Sequence, residues 1–297
     1  MTGLTQKYRH ELGFDPIKLS KEIGPFIQKH VKGAAPNAVE LSLRTINRLG
    51  ADPRVTDIRY MAYMLATACH ESRETRHFQQ PVMAKGKPVI NATTKLPQTR
   101  DTKLWVIFDP INEAGKGTGL RYYEPVKVRR TPEGALIIEK DGDMFSIDRN
   151  GTAKTLRGRM GATAAMVASA AYSSAEGEPT SFYGRGLVQL TWWANYATAS
   201  VKLGLGLELL FNPDRVLDYN ISYEIMVRGM IDAWFTTYSC KSYLNDNKTD
   251  YSSARNIINP DDHRHRALIV EYALAFEELL MRTKVTALAA AASTSAK

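Results

Sequence analysis

A chain of 297 residues with 44% apolar content is globular and long enough to bury one large core or two small ones. Its two cysteines exclude a disulfide framework, and without any run of 18 or more apolar residues no stable membrane insertion is expected. A net charge of +8 and a pI near 9.3 call for an anionic partner. No recognition helix, zinc-binding array or basic arm is present, so no nucleic acid is expected, and an acidic cell-surface polymer accounts for the charge equally well.

The N-terminal stretch MTGLTQKYRHELGFDPIKLS has no apolar run that would serve as a signal-peptide core, and synthesis in a reducing cytoplasm is the expectation. Apolar residues at helical spacing predict helices over Ile17–Val31, Ala38–Leu49 and Asp57–Ser72. Residues 1–50 thus read as a helical segment packed on a main domain over 51–284. Cys69, inside the third of these patterns, reads as a buried free thiol. Pro81–Lys103 is rich in Lys, Pro, Thr and Asn and predicts a surface excursion, an irregular insert over 79–107. From Glu124 to Leu156 the pattern changes to β-rich runs separated by Pro-Glu-Gly, Asp-Gly and Asn-Gly, which predicts a small inserted β meander over 124–158. Helical spacing returns over Gly161–Tyr172, Trp192–Leu203, Ser222–Phe235, Tyr251–Ile258 and His265–Arg282. The alanine-rich residues 285–297 are expected to form a flexible tail. The predicted fold class is mainly α.

Chemistry is first legible at the end of the Asp57–Ser72 helix. Ile58, Met61, Ala62, Leu65, Ala68 and Cys69 form an apolar stripe, and Glu71 lies at its edge. Thr67 and Ala68 sit one turn back and Met64 two turns back, so the carboxyl group meets largely apolar neighbours. Burial and the negative end of the helix dipole both favour the neutral acid, the form a proton donor to a glycosidic oxygen needs. A solvated glutamate at a helix end is the alternative.

The stretch FYGRGLVQLTWWANY, Phe182–Tyr196, adds a surface to that acid. Alternation over Leu187–Thr191 predicts an extended segment with Gln189 and Thr191 on one side and Val188 and Leu190 on the other. Gly184 and Gly186 flank Arg185 and permit tight turns. Tyr183, Trp192, Trp193 and Tyr196 offer flat faces, while Gln189, Thr191 and Asn195 offer donors and acceptors, the mixture that a sugar ring with its C–H face and hydroxyl rim requires. At least half of these aromatics are expected in the core.

AYMLATACHES (Ala62–Ser72), FYGRGLVQLTWWANY and SARNIIN (Ser253–Asn259) together resemble glycoside hydrolase family 19, in its branch of bacteriophage endolysins and chitinase-like enzymes. The resemblance spans roughly Asp57–Leu280 and implies a lysozyme-like α+β domain. It implies that Glu71 is the general acid, and that His70, Tyr183, Arg185, Gln189, Thr191, Trp192, Asn195 and Asn259 meet substrate or water. Arg266 matches an arginine near the family's cleft. Inverting glycosidases also need a base roughly 6.5–9.5 Å from the acid. The segment FDPINEAGKG, Phe108–Gly117, is similar to the family's second acidic segment and makes Glu113 the base, with Glu74, Asp109 and Glu124 as rivals. Glu113 follows Glu71 by 42 residues, far more than in compact phage members, and the Pro81–Lys103 excursion accounts for the difference. Pro260 stands where the family usually has glycine, and the β insert has no counterpart in small members.

These expectations converge on an inverting hydrolase, without cofactor, that cuts β-1,4 bonds between amino sugars of peptidoglycan. The alternatives are a chitinase, a lytic transglycosylase or a non-catalytic wall-binding or virion module. The six histidines form no ligand-spaced set, and His263 and His265 read as a solvated turn, so no metal is expected. Such an enzyme, expected as a monomer, would be made in the cytoplasm of a host bacterium. It would reach the wall through pores made by a separate protein, or within a virion.

Overall fold

The computed structural model describes residues 4–10, 13–118, 127–133, 136–140, 143–147, 153–157, 181–206, 208–260 and 262–285. Among these, helices predominate and the sheets are small and antiparallel. The Ile58–Glu71 helix runs through the core, with Ile58 to Cys69 buried on almost every side. A helix apolar all round, as IRYMAYMLATAC is, has to be enclosed. Its one buried cation, Arg59, pairs with Asp57 at 2.6 Å. Arg59 also donates to Thr5 Oγ1, Asn245 O and Thr249 Oγ1. Asp57 doubles as N-cap, accepting from Arg59 N at 2.8 Å.

Against this helix lies Arg266–Thr283, and Pro16–His30 packs on the latter with the Phe26 and Phe276 rings 4.7 Å apart. Leu19, Ile23, Leu41, Ile46 and Leu49 belong to the same apolar cluster as Met61, Leu65 and Phe276. Pro16–His30 begins where expected: Asp15 caps Ile17 N and Lys18 N, and Pro16 takes the first position, where no amide is needed. Ala38–Ala51 and Trp193–Lys202 also match the sequence periodicity. Two others differ. The helix expected at Ser222–Phe235 runs Tyr219–Ile231, because Asp218 caps Asn220 N and Ile221 N and Ala233 turns out at φ +55°. Tyr251–Ile258 is one α turn, Tyr251–Ala254, followed by a 3-10 turn, Arg255–Ile257. The helix expected at Gly161–Tyr172 and most of the expected tail lie outside the described residues.

The expected irregular insert over 79–107 is corrected by the structure. Strand Glu74–Pro81 pairs antiparallel with Thr99–Val106 along eight positions, from Glu74 opposite Val106 to Pro81 opposite Thr99, and a smaller pair, Met83–Ala84 with Lys87–Pro88, caps the hairpin. The β meander takes the expected form: Lys127–Arg130, Leu136–Lys140, Asp143–Ile147 and Ala153–Arg157 pair in chain order as a four-stranded sheet. No helix among the described residues is long and apolar enough to cross a membrane.

Candidate active site

The end of the Ile58–Glu71 helix is fastened to the root of the hairpin, just past its second strand. Ser72 Oγ donates to Ala68 O at 2.6 Å and accepts the Phe108 amide at 3.0 Å. The chain therefore leaves the helix and returns beside it. Phe108, at φ +58°, turns it toward strand Ile111–Asn112, which pairs with Arg185–Gly186. Glu113 is then held against Gly184: its amide donates to Gly184 O at 2.7 Å, and its carboxylate oxygen Oε2 accepts from Gly184 N at 2.9 Å.

Glu71 and Glu113 line one cleft of about 660 Å³. Gln189, Thr191, Trp192, Asn195 and Asn259 line it too, as does Pro260. Sequence reasoning missed Arg73, Phe235, Thr236 and Arg255 on its walls. A separate cavity of about 360 Å³, between the Pro16–His30 and Arg266–Thr283 helices, has Glu22 paired with Arg282 at 3.1 Å and is lined by neither Glu71 nor Glu113.

The electrostatics centre on Arg255. Its Nη2 lies 2.7 Å from Glu71 Oε1 and 2.7 Å from Asp262 Oδ2, so one buried cation is shared by two carboxylates. Burial pushes the Glu71 carboxyl above its ordinary value; Arg255 opposes this and the Asp262 charge reinforces it. Burial also works against ionised Asp262, but hydrogen bonds from Arg255 and the His265 amide prevail and hold it down to about 2. Asp262 is thus the settled anion of the pair and Glu71 the one able to carry a proton. Glu71 is 16% exposed, open to the cleft yet largely dry. Helix periodicity anticipates the burial of Glu71 but not its cation, which comes from a segment 184 residues away.

The Phe182–Tyr196 stretch is folded otherwise than its alternation predicts. Leu187–Gln189 form a turn closed by reciprocal bonds between Arg185 and Leu190, at 3.2 and 2.9 Å, and Gln189 adopts φ +51°. Gln189 still meets the cleft, with its amide nitrogen anchored to Gly186 O at 3.1 Å and Ile111 O at 3.3 Å. Asn195 Nδ2 donates to Thr191 O at 2.9 Å, which holds the two side by side. Trp192 is 40% exposed at the cleft edge, whereas Trp193 packs partly into the core.

Four expected site residues stand elsewhere. Arg185 is buried, donates to Asp214 Oδ1 at 2.7 Å and Tyr196 Oη at 3.1 Å, and lies 3.7 Å over the Tyr183 ring. Tyr183 is consequently covered on one face by that cation and is buried, so it offers no platform. Arg266 braces the loop behind Asn259 through Ser252 O and Asn256 Oδ1. His70 is not among the cleft residues; its ring lies 4.6 Å from that of His265. Burial, then His265 and Arg255, push its pKa down to about 4. Two rivals of Glu113 are occupied: Arg76 holds Glu74 at 2.7 Å and Asp109 at 2.9 Å. The third, Glu124, lies outside the described residues. Where the sequence shows no ligand-spaced histidines, the fold gathers His70, Asp262 and His265 within 4.8 Å.

The chain matches no family model, and comparison with curated proteins and with solved structures gives no match either.

Proposed function

We propose that the protein is a lysozyme-like glycoside hydrolase that cleaves β-1,4 bonds between amino sugars of peptidoglycan by acid/base chemistry. The observation that carries this reading is the pair of carboxylates, one raised by burial and one clamped to a backbone amide, on a single cleft that also offers Gln189, Thr191, Asn195, Asn259 and an exposed indole.

In this reading Glu71 gives its proton to the leaving glycosidic oxygen while the C–O bond breaks. Glu113 takes a proton from the water that attacks the opposite face of the ring. Glu71, now anionic, is stabilised by Arg255 at 2.7 Å, a contact stronger after the proton has left than before. Thr191 and Asn195 meet hydroxyl and amide groups of the sugar, Asn259 does so from the facing loop, and Trp192 contacts a ring face. The pinned Gln189 amide keeps the turn that carries Thr191 in place. The enzyme would act in the cell wall after release from the producing cell through a separate pore-forming protein, or from a virion.

Glu71→Gln tests the reading. The variant should keep the circular dichroism and melting behaviour of the parent and lose roughly 10²–10⁴-fold of the lytic rate on purified walls, the contribution of a positioned acid. Retention of most of the activity would remove Glu71 as the donor. Mass spectrometry of the products should show hydrated reducing ends; anhydro ends would replace hydrolysis with transglycosylation.

A further inference from the structure

His70 closes the Ile58–Glu71 helix, while Asp262 and His265 immediately precede Arg266–Thr283. Asp262 Oδ1 lies 3.1 Å from His265 Nδ1, and one ligand atom from each of the three residues falls within 4.8 Å of the others. Among the described residues, no hydrogen bond reaches the ring nitrogens of His70, and its ring lies 4.6 Å from that of His265. The two imidazoles are tilted by 44° to one another, and the Asp262 carboxylate lies within hydrogen-bond distance of the His265 ring.

We propose that His70, Asp262 and His265 bind a divalent transition cation of the zinc class, through one nitrogen of each imidazole and Oδ1 of Asp262, with water in the remaining positions. Imidazole with carboxylate is the donor set such borderline metals favour. Bonds of about 2.0–2.2 Å to two atoms 3.1 Å apart subtend roughly 97° at the metal, close to the angle between neighbouring ligands in five- or six-coordinate sites. A ligating carboxylate is normally hydrogen-bonded on its other oxygen, and Arg255 already does this, donating to Asp262 Oδ2 at 2.7 and 3.1 Å. His265, 47% exposed, supplies both an entry path and the freedom to close the remaining distance. Occupancy would tie the end of one core helix to the start of the other. It does not depend on the glycosidase reading.

The test is metal binding by the full chain after chelator treatment. One equivalent of Co(II) should give visible ligand-field absorption that Zn(II) abolishes, and Zn(II) should raise the melting temperature. His265→Ala changes an exposed side chain and should fold normally, yet weaken Zn(II) binding by more than about 10-fold and erase the thermal shift. His70→Phe, which preserves an aromatic ring, should do the same. No stoichiometric Co(II) spectrum, or equal affinity in the parent and both variants, would overturn the site.

Discussion

Asp262 and Glu71 compete for one guanidinium, and the outcome sets how strong an acid Glu71 is. The Arg255 cation favours the ionised form of Glu71, so removing it in Arg255→Met raises the Glu71 pKa further. Glu71 then stays protonated to higher pH, and the alkaline limb of kcat/KM should move upward. Asp262→Asn acts in the opposite sense: it removes a like charge and leaves Arg255 wholly to Glu71, which lowers the pKa and moves the same limb downward. Limbs that stay in place, measured as pH profiles on soluble wall fragments, would show that Glu71 does not set them. At this scale the sequence was readable where burial alone decides, as for Cys69, which is buried, and Glu71, which is largely so at the edge of the same apolar stripe. Arg255 was not readable, because its role arises from two carboxylates that only the folded chain brings to it. Tyr183 and Arg185 misled for a related reason: a cation stacked on an aromatic ring serves the interior as well as a cleft.

Elements were legible in proportion to how far their own apolar period determines them. Helices buried along one stripe or on all sides announce themselves, and the sheet over 127–157 is betrayed by its turn residues. The Glu74–Pro81 strand has no such mark: ETRHFQQP alternates only between half-buried and exposed, and the strand exists because Thr99–Val106 pairs with it. The Gln189 turn escaped because its alternating letters imitate a strand, while Gly186, at φ +85°, bends the chain. A Cβ on Gly186 would lie 2.5 Å from Ser222 Oγ and 3.0 Å from Val216 Cγ1. Gly186→Ala should therefore lower unfolding free energy by about 1–3 kcal/mol in denaturant melts, from strain and overpacking. A larger loss is expected at the start of the core helix. Arg59→Leu strands Asp57 as a buried charge and frees four anchoring bonds to the Thr5 and Asn245–Thr249 segments, so about 3–5 kcal/mol should disappear. A loss below about 1 kcal/mol would mean that water reaches Asp57 in the folded protein.

For the whole molecule, the mainly α architecture follows from the sequence pattern, and the arrangement of the hairpin on it does not. Forty-two positions separate Glu71 from Glu113 in the chain, yet the hairpin begins and ends at one place, with Glu74 across from Val106, and both carboxylates reach the same cleft. Replacing residues 79–101 by an Asn-Gly turn joins Phe78 to Thr102, which are already opposite each other. The shortened chain should fold, since even a twofold change in loop length costs only about 0.6 kcal/mol, and on the proposed function it should keep its lytic rate, because none of residues 79–101 lines the cleft. Loss of activity with the fold intact would assign the outer hairpin to substrate. Matched residues added to or taken from the two arms leave their root unmoved, as teeth closed or opened on a zip leave its stop where it was sewn. The size of the outer hairpin and the spacing of Glu71 from Glu113 can thus vary independently in this scaffold.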